Sequence, residues 1–285
     1  MDVPTGLAHF LLFFSLNRAL GDCSVTSFKL NDGSEIPAVA LGTSLGHLAD
    51  GTRVLPANRS LARAVQWALE AGYRHVDTAT LYKVEDEVGL GVHNFLANNT
   101  VDRTSLYITT KLWNDCHERS EEPKALRSSL AELKLDYVDL YLMHYPMAYK
   151  KDGSISLIDY LTTWKGMEDV KVLNLAKSIG VSNFNLTQMQ RLWDHSRIKP
   201  AVLQIELDRA LVAIPRSTNK DRIQQNIDIF DFTLSMDEIE LLSKFNNNYR
   251  LRTPAKWYPH PHFPFEKKNL TDAEIQYIVE HSKGD

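Results

Sequence analysis

Cysteine is scarce in this 285-residue chain: Cys23 and Cys116 are the two present. They can form at most one bridge, so no disulfide framework holds the fold. No apolar run reaches the roughly 20 residues that a membrane-spanning helix needs. Neither sign of charge dominates, with 32 Lys and Arg against 36 Asp and Glu and a formal net charge of -4. That balance argues against nucleic acid or another polyanion as partner. A glycine-rich phosphate loop and a dinucleotide fingerprint are both missing. No Cys or carboxylate cluster stands at ligand spacing beside His260 and His262, which read as part of an aromatic, proline-rich tail rather than a metal site. Linkers and low-complexity runs are absent too, so the chain reads as one domain.

What is present is ordinary for a globular protein, with 44% hydrophobic and 24% charged residues. The length suits one barrel of roughly 250 residues. Phe28–Leu30 and Ser34–Ile36 flank Asn31-Asp32-Gly33, a hairpin signature with a tight-turn pair. Short apolar strands then alternate with helical patterns, which predicts βαβ units and a parallel sheet. Strands are expected at 39–42, 74–77, 106–110, 138–143, 178–181, 202–206 and 211–214. Helices are expected near 60–71, 85–98, 123–133, 160–174, 186–196 and 220–226. A capping box at Ser235–Glu238 opens a further helix to Phe245. The last two strands stand four residues apart, whereas parallel neighbours need a crossover of a dozen or more. Either both do not form, or they pair unusually.

Three successive strand ends carry polar residues of one chemical purpose. Gly72–Tyr82 (GYRHVDTATLY) presents Asp77 and Tyr82; Ile108–Trp113 (ITTKLW) presents Lys111; Asp139–Pro146 (DLYLMHYP) presents His144. Together they form a proton-donor set for reducing a carbonyl. A free phenol titrates near pH 10 and needs help to give up its proton at neutral pH. A nearby cation favours the ionised phenol. Taken singly, each residue has a duller explanation: a packed tyrosine, a solvated lysine, a core histidine.

These three segments, with Ser178–Phe184 (SIGVSNF) and Ile214–Thr218 (IPRST), resemble the aldo-keto reductase family and lie in its order. The resemblance covers most of residues 26–265. It implies an α/β fold, a (β/α)8 TIM barrel whose bottom the N-terminal β-hairpin closes. It also implies reduction of aldehydes or ketones by hydride from NADPH. Tyr82 would be the general acid, Lys111 its cationic partner, Asp77 the anchor of Lys111, and His144 the residue that orients the substrate oxygen. Ser182, Asn183 and Gln204 match positions that hold the nicotinamide carboxamide, while Gly42, Thr43 and Asp77 match those near its ribose. Arg216, Ser217, Arg222, Gln225 and Asn226 match the adenosine end, where Arg216 and Arg222 would grip the 2′-phosphate of NADPH. Tyr145, where many members carry tryptophan, and Trp113 would wall the substrate pocket. Trp257, Tyr258 and Phe263 would line it from the tail.

Measured against the family, the chain is short between Glu206 and Leu211. About one strand and two helices of the barrel are expected to be missing, an internal deletion of sixty to seventy residues by that comparison. The stacking aromatic and the loop over the pyrophosphate fall in that span. This pattern suits a skipped exon or an annotation error better than gradual loop change. Three readings follow. The first is an active NADPH-dependent reductase of small carbonyl compounds, the second a catalytically silent member that binds nucleotide or a protein partner, and the third a splice product that folds poorly. The expected layout is a segment 1–21, the barrel over 22–268 and a polar extension over 269–285 with a helix at 272–281. The apolar block Leu7–Leu16 before Ala19-Leu20-Gly21 outlines a signal peptide. Asp2, His9 and the lack of early Lys or Arg suit a simple tail instead. The resembled family's habit favours the cytoplasm, with the secretory pathway as the alternative. Four glycosylation sequons, at Asn58, Asn98, Asn185 and Asn269, do not decide between them. A monomer is expected, with no membrane or nucleic-acid partner and no metal.

Overall fold

A computed structural model describes residues 27–48, 52–205, 212–230, 232, 234–244, 257–266, 271, 273–274 and 276–277. The segment 1–21, the residues Glu206, Leu211 and Phe245, and most of the expected helix at 272–281 lie outside the described residues. The first hairpin forms as its turn chemistry predicts. Strands β1 (Ser27–Lys29) and β2 (Glu35–Pro37) pair antiparallel, Phe28 opposite Ile36. Gly33 takes the left-handed conformation (φ 87°) that the turn requires, and the Asp32 carboxylate accepts hydrogen bonds from the Ser34 backbone and hydroxyl.

Parallel strands β3 (Ala40–Gly42), β4 (His75–Asp77), β5 (Tyr107–Leu112), β6 (Val138–Met143), β9 (Ala176–Ser182) and β10 (Leu203–Gln204) lie side by side in chain order. Helices α1 (Ser60–Glu70), α2 (Glu85–Asn98), α3 (Glu121–Leu133), α4 (Tyr160–Val172) and α5 (Leu186–His195) follow strands in the expected alternation. α6 (Lys220–Ile227) and α7 (Met236–Ser243) come after the sixth strand, and Ser235 and Glu238 form the expected capping box. A short antiparallel pair, β7 (Ala148–Tyr149) and β8 (Ile155–Ser156), was not expected; its Asp152-Gly153 turn was the signal that could have shown it. Helix α4 stops at Val172 rather than at Asn174, which takes a left-handed φ of 55°. Among the described residues, no helix is long and apolar enough to cross a membrane.

Side-chain alternation sorts β5 and β6 between two environments. Ile108 and Leu112, with Tyr141 and Met143, pack among residues of the surrounding helices. Tyr107, Leu140 and Leu142 instead share a smaller cluster with Phe28, Leu30 and Ile36 of the hairpin and with Val202 and Val212. This second cluster is the concave interior of the sheet, plugged at its base by the hairpin. Lys111 lies two and four residues beyond Thr109 and Tyr107, so it points into the same interior. A charge placed there must find a partner.

Of the seventh strand, expected at 211–214, the described residues 212–214 make one isolated bridge to the β3 side, Ala213 to Val39, and Arg216 just beyond them makes a second, to Gly42. The amides of Ala40 and Gly42 donate to the carbonyls of Ala213 and Pro215 at 2.8 and 2.9 Å. Pro215 has no amide proton to donate, so a regular ladder cannot run through it. At the other edge β10 pairs with β9, and among the described residues no strand pairs with its free side. Among the described residues, six parallel strands and one irregular segment thus stand where a complete barrel of this type has eight.

Burial of imidazoles makes this fold sensitive to acid. Burial holds His75 at about 4 and His117 at about 3, and puts His144 well below its usual value. The unfolded chain would protonate all three near pH 6.5 while the folded chain refuses. The unfolded state therefore binds more protons below that pH, and stability falls on acidification. Each imidazole contributes up to about 1.4 kcal/mol per pH unit, over a window from 6.5 down to about 4 for His75 and about 3 for His117. Two buried carboxyls oppose this: Glu122, pushed up to about 8 by burial, and Glu85, also raised by burial, hold their protons better folded than unfolded. Their stabilisation is present at low pH and lost as pH rises. Three imidazoles outweigh two carboxyls between pH 6.5 and 4.5. The thermal midpoint is expected to drop from pH 7 to pH 5; a rise would contradict these burials.

Candidate active site

Asp77 closes β4, and its backbone carbonyl accepts from the amide and hydroxyl of Thr43 just beyond β3. After β4 the chain makes one 3-10 turn, Thr80–Tyr82, closed by Lys83 in a left-handed conformation (φ 59°). The Thr80 hydroxyl donates to the Lys111 carbonyl at 3.2 Å and meets Ser129 Oγ at 3.0 Å, which ties the turn to β5 and α3. Tyr82 is thereby held over the sheet end. β6 carries His144 to the same end, where its amide donates to the Leu112 carbonyl.

The four residues meet. Lys111 Nζ lies 2.6 Å from Asp77 Oδ1, donates to the Thr78 carbonyl at 3.0 Å and reaches Tyr82 Oη at 3.4 Å. Its side chain is fully buried. Burial alone would pull its pKa down, but the Asp77 carboxylate and the Tyr82 hydroxyl more than reverse this, holding Lys111 above its ordinary value and cationic. The other Asp77 oxygen accepts from Gln204 Nε2 at 2.9 Å. The His144 ring stands 5.8 Å from the Tyr82 ring, centroid to centroid, edge to face. Burial first, then the charges of Lys111 and Arg53, keep His144 neutral. One neutral imidazole, one phenol and one buried ammonium therefore converge on the end of the sheet.

A cavity of about 380 Å3 opens there, within the range of small-molecule sites. Asp77, Tyr82, Trp113, His144 and Tyr145 line it, together with Gly42, Thr43, Ser182, Asn183, Gln204 and Arg216. Asn183 adopts a left-handed backbone (φ 59°), which asparagine tolerates better than most residues, and donates to the His144 carbonyl and the Ser182 hydroxyl. Arg216 Nη1 donates to the Ser44 carbonyl. Gly42 meets Ile214 and Arg216 so closely that a β-carbon at that position would crowd them. Ser217, Arg222, Gln225 and Asn226 do not line the cavity. They lie beyond Arg216, three of them on α6, whose N-cap Asn219 accepts from the Arg222 amide.

Trp113, Tyr145 and Trp257 form an aromatic wall, Tyr145 edge-on to Trp257 at 4.8 Å and stacked on His144 at 5.2 Å. Tyr258 and Phe263 do not reach the cavity: they are buried against Met147 as a small core of the tail, so their expected pocket role is corrected. His260 spends both ring nitrogens on backbone, Nε2 on the Ala148 carbonyl and Nδ1 on the His262 amide. Sequence reasoning missed Ser44, His47, Arg53, Leu81, Ile205 and Ile214 among the lining. Leu81 and Ile214 sat inside quoted motifs and could have been found. His47 and Arg53 lie on the connection between β3 and α1, which carries no motif.

A family model described as the aldo/keto reductase family matches residues 39–210. The Bombyx mori aldo-keto reductase AKR2E4 is 39% identical, covering 83% of this chain and 97% of the relative. That alignment runs over 303 residues, more than the 285 of this chain, so the relative carries residues with no counterpart here. Methylglyoxal reductase DkgA of Escherichia coli (strain K12) is 34% identical, covering 79% of this chain and 95% of the relative. Among solved structures, silkworm AKR2E5 complexed with NADPH superposes with a TM-score of 0.82 at 32% identity, covering 92% of this chain and 99% of that one.

Proposed function

Because the chain belongs to the aldo/keto reductase family, we propose that it reduces small aldehydes or ketones to alcohols with NADPH. The observation that carries this reading is Lys111 Nζ, within hydrogen-bonding reach of both Asp77 and Tyr82 beside a neutral His144. NADPH, when bound, supplies the hydride that adds to the carbonyl carbon. Tyr82 gives its hydroxyl proton to the carbonyl oxygen as the C–O double bond becomes single. Lys111, fixed by Asp77, stabilises the phenolate left behind, and solvent returns the proton. His144, being neutral, donates its one ring N–H to the same oxygen and orients it.

The residues present fit that cofactor by their chemistry. Ser182, Asn183 and Gln204 offer the mixed donors and acceptors that a carboxamide needs, and Gly42, Thr43 and Asp77, which line the same cavity, would take the ribose. The Arg216 guanidinium suits phosphate oxygens, with Ser217, Arg222, Gln225 and Asn226 beyond it for the adenosine end. If Arg222 holds the 2′-phosphate, Arg222→Ala should weaken NADPH about tenfold, the worth of one charge-assisted hydrogen bond, while leaving NADH binding nearly unmoved. Fluorescence titration with both nucleotides checks this; equal losses would remove the 2′-phosphate role. The aromatic wall of Trp113 and Tyr145 would hold the substrate, the net charge of -4 offers nucleic acid no attraction, and a monomer is the proposed state. Cytoplasm is the proposed compartment; glycans on Asn58 or Asn98, seen as a mass loss on deglycosylation, would point to the secretory pathway instead.

A second reading has its own support. The side of β10 that no strand among the described residues covers and the longer relative both suit a member that binds nucleotide without turnover. A thermal midpoint raised by NADPH shows that the site is built. NADPH consumption with a generic aldehyde then separates a reductase from a silent binder.

A further inference from the structure

The first turn of α2 carries three acids, Glu85, Asp86 and Glu87, and two of them serve the neighbouring helix α1. Glu87 accepts from the amides of Leu61 and Ala62, and Asp86 pairs with Arg59 at the surface. Glu85 instead is buried against β5, where the Thr110 hydroxyl donates to its Oε1 at 2.5 Å. The Ser129 hydroxyl of α3 also bonds the Glu85 side chain. That same hydroxyl meets Thr80 Oγ1 at 3.0 Å. Thr80 opens the 3-10 turn that ends in Tyr82, and its hydroxyl donates to the Lys111 carbonyl. Thr110 precedes Lys111 on β5, and Lys111 Nζ reaches Tyr82 Oη. The contacts close a ring that runs from Tyr82 through Thr80, Ser129, Glu85, Thr110 and Lys111 back to Tyr82. A buried carboxyl is costly unless it is hydrogen-bonded, and the partners of this one lead to both members of the proton-donor pair.

Building on the reductase reading, we propose that Glu85 is a positioning residue that sets the distance between the Tyr82 hydroxyl and the Lys111 ammonium. It does not line the cavity and acts through its neighbours. Through Ser129 and Thr80 it holds the turn that carries Tyr82; through Thr110 it holds the strand that carries Lys111. The stabilisation that a cation gives a phenolate falls with distance. A turn that drifts from β5 therefore weakens the proton donor and leaves the aromatic wall in place. Glu85→Gln keeps the ring closed, because an amide accepts from Thr110 through its oxygen and donates to Ser129 through its nitrogen. Glu85→Leu opens it on both sides.

The test measures kcat for a generic aldehyde, its KM and the NADPH Kd. The proteins are wild type, Glu85→Gln, Glu85→Leu, Thr80→Val and the double variant of the last two. Glu85→Leu and Thr80→Val should each lower kcat about tenfold, the worth of one buried hydrogen bond, with KM and Kd within about twofold of wild type. Glu85→Gln should keep kcat within about twofold, and the double variant should fall no further than the slower single one, as two links of one chain do. Losses that multiply in the double variant overturn the proposal. So does a Glu85→Gln as slow as Glu85→Leu, which would assign Glu85 a role through its charge. If Glu85→Leu does not fold, Thr80→Val decides, and an unchanged kcat there overturns the proposal. If wild type turns over no aldehyde, the reductase reading fails on its own, and hydrogen exchange judges the positioning. The Tyr82 and Lys83 amides, bonded to the Ala79 and Thr80 carbonyls, should lose protection in Glu85→Leu and Thr80→Val and keep it in Glu85→Gln, with the amides of α5 unmoved. Unchanged protection at the turn, or a loss shared by α5, overturns it.

Discussion

Tyr82→Phe is expected to lower kcat by about 10²- to 10⁴-fold, the range that positioned general acids contribute, with NADPH affinity within about twofold of wild type. The substitution removes one oxygen, which lies 3.4 Å from Lys111 Nζ, and keeps the ring that packs edge-on to His144. It takes away the proton donor and leaves the wall of the cavity. Steady-state kinetics paired with a fluorescence titration of NADPH separate these effects. Turnover that survives in Tyr82→Phe would move proton donation elsewhere, with His144 the next group in reach.

Lys111→Met carries the second large effect, on turnover and on stability together. The ammonium sits fully buried in the sheet interior against Asp77. Removing it strips Tyr82 of the cation that stabilises its phenolate, so turnover is expected to fall at least as far as in Tyr82→Phe. It also leaves the Asp77 carboxylate buried, with one hydrogen bond from Gln204 in place of an ion pair. Breaking a buried pair from one side costs about 3–5 kcal/mol. Asp77→Asn combined with Lys111→Met leaves no net charge behind, so the double variant should be more stable than Lys111→Met alone. A urea-unfolding cycle over the four proteins measures the coupling. Additive losses would mean that the two groups do not stabilise one another, and the anchoring role of Asp77 would fall.

The parts of this molecule that were legible in its sequence are those dictated locally. Alternation of short apolar strands with helical periods set the order of the sheet, and Asn31-Asp32-Gly33 set the first hairpin. Asp77, Tyr82, Lys111 and His144 each sit at or just beyond a strand end, so their convergence followed once parallel strands were expected. Three things were hidden. The 211–214 segment looked like a strand because its apolar run has strand composition, yet beside Pro215 its described residues make a single isolated bridge, at Ala213, with another at Arg216 beyond. The roles of Tyr258 and Phe263 depend on whether Met147 or the cavity receives them, and composition does not say which. Arg53 reaches Tyr82 through a fold-back of the β3–α1 connection, a tertiary contact with no periodic signal.

Asp77, Tyr82, Lys111 and His144 at the end of this sheet are expected to support reduction of a carbonyl by NADPH. Loss of NADPH absorbance on mixing the full chain with cofactor and an excess of aldehyde tests it most directly. The expected result is continuous NADPH oxidation that depends on both protein and aldehyde and is abolished in Tyr82→Phe. NADPH that binds, raises the thermal midpoint and is never oxidised would contradict it, and would leave a nucleotide-binding protein that keeps its proton donors without using them.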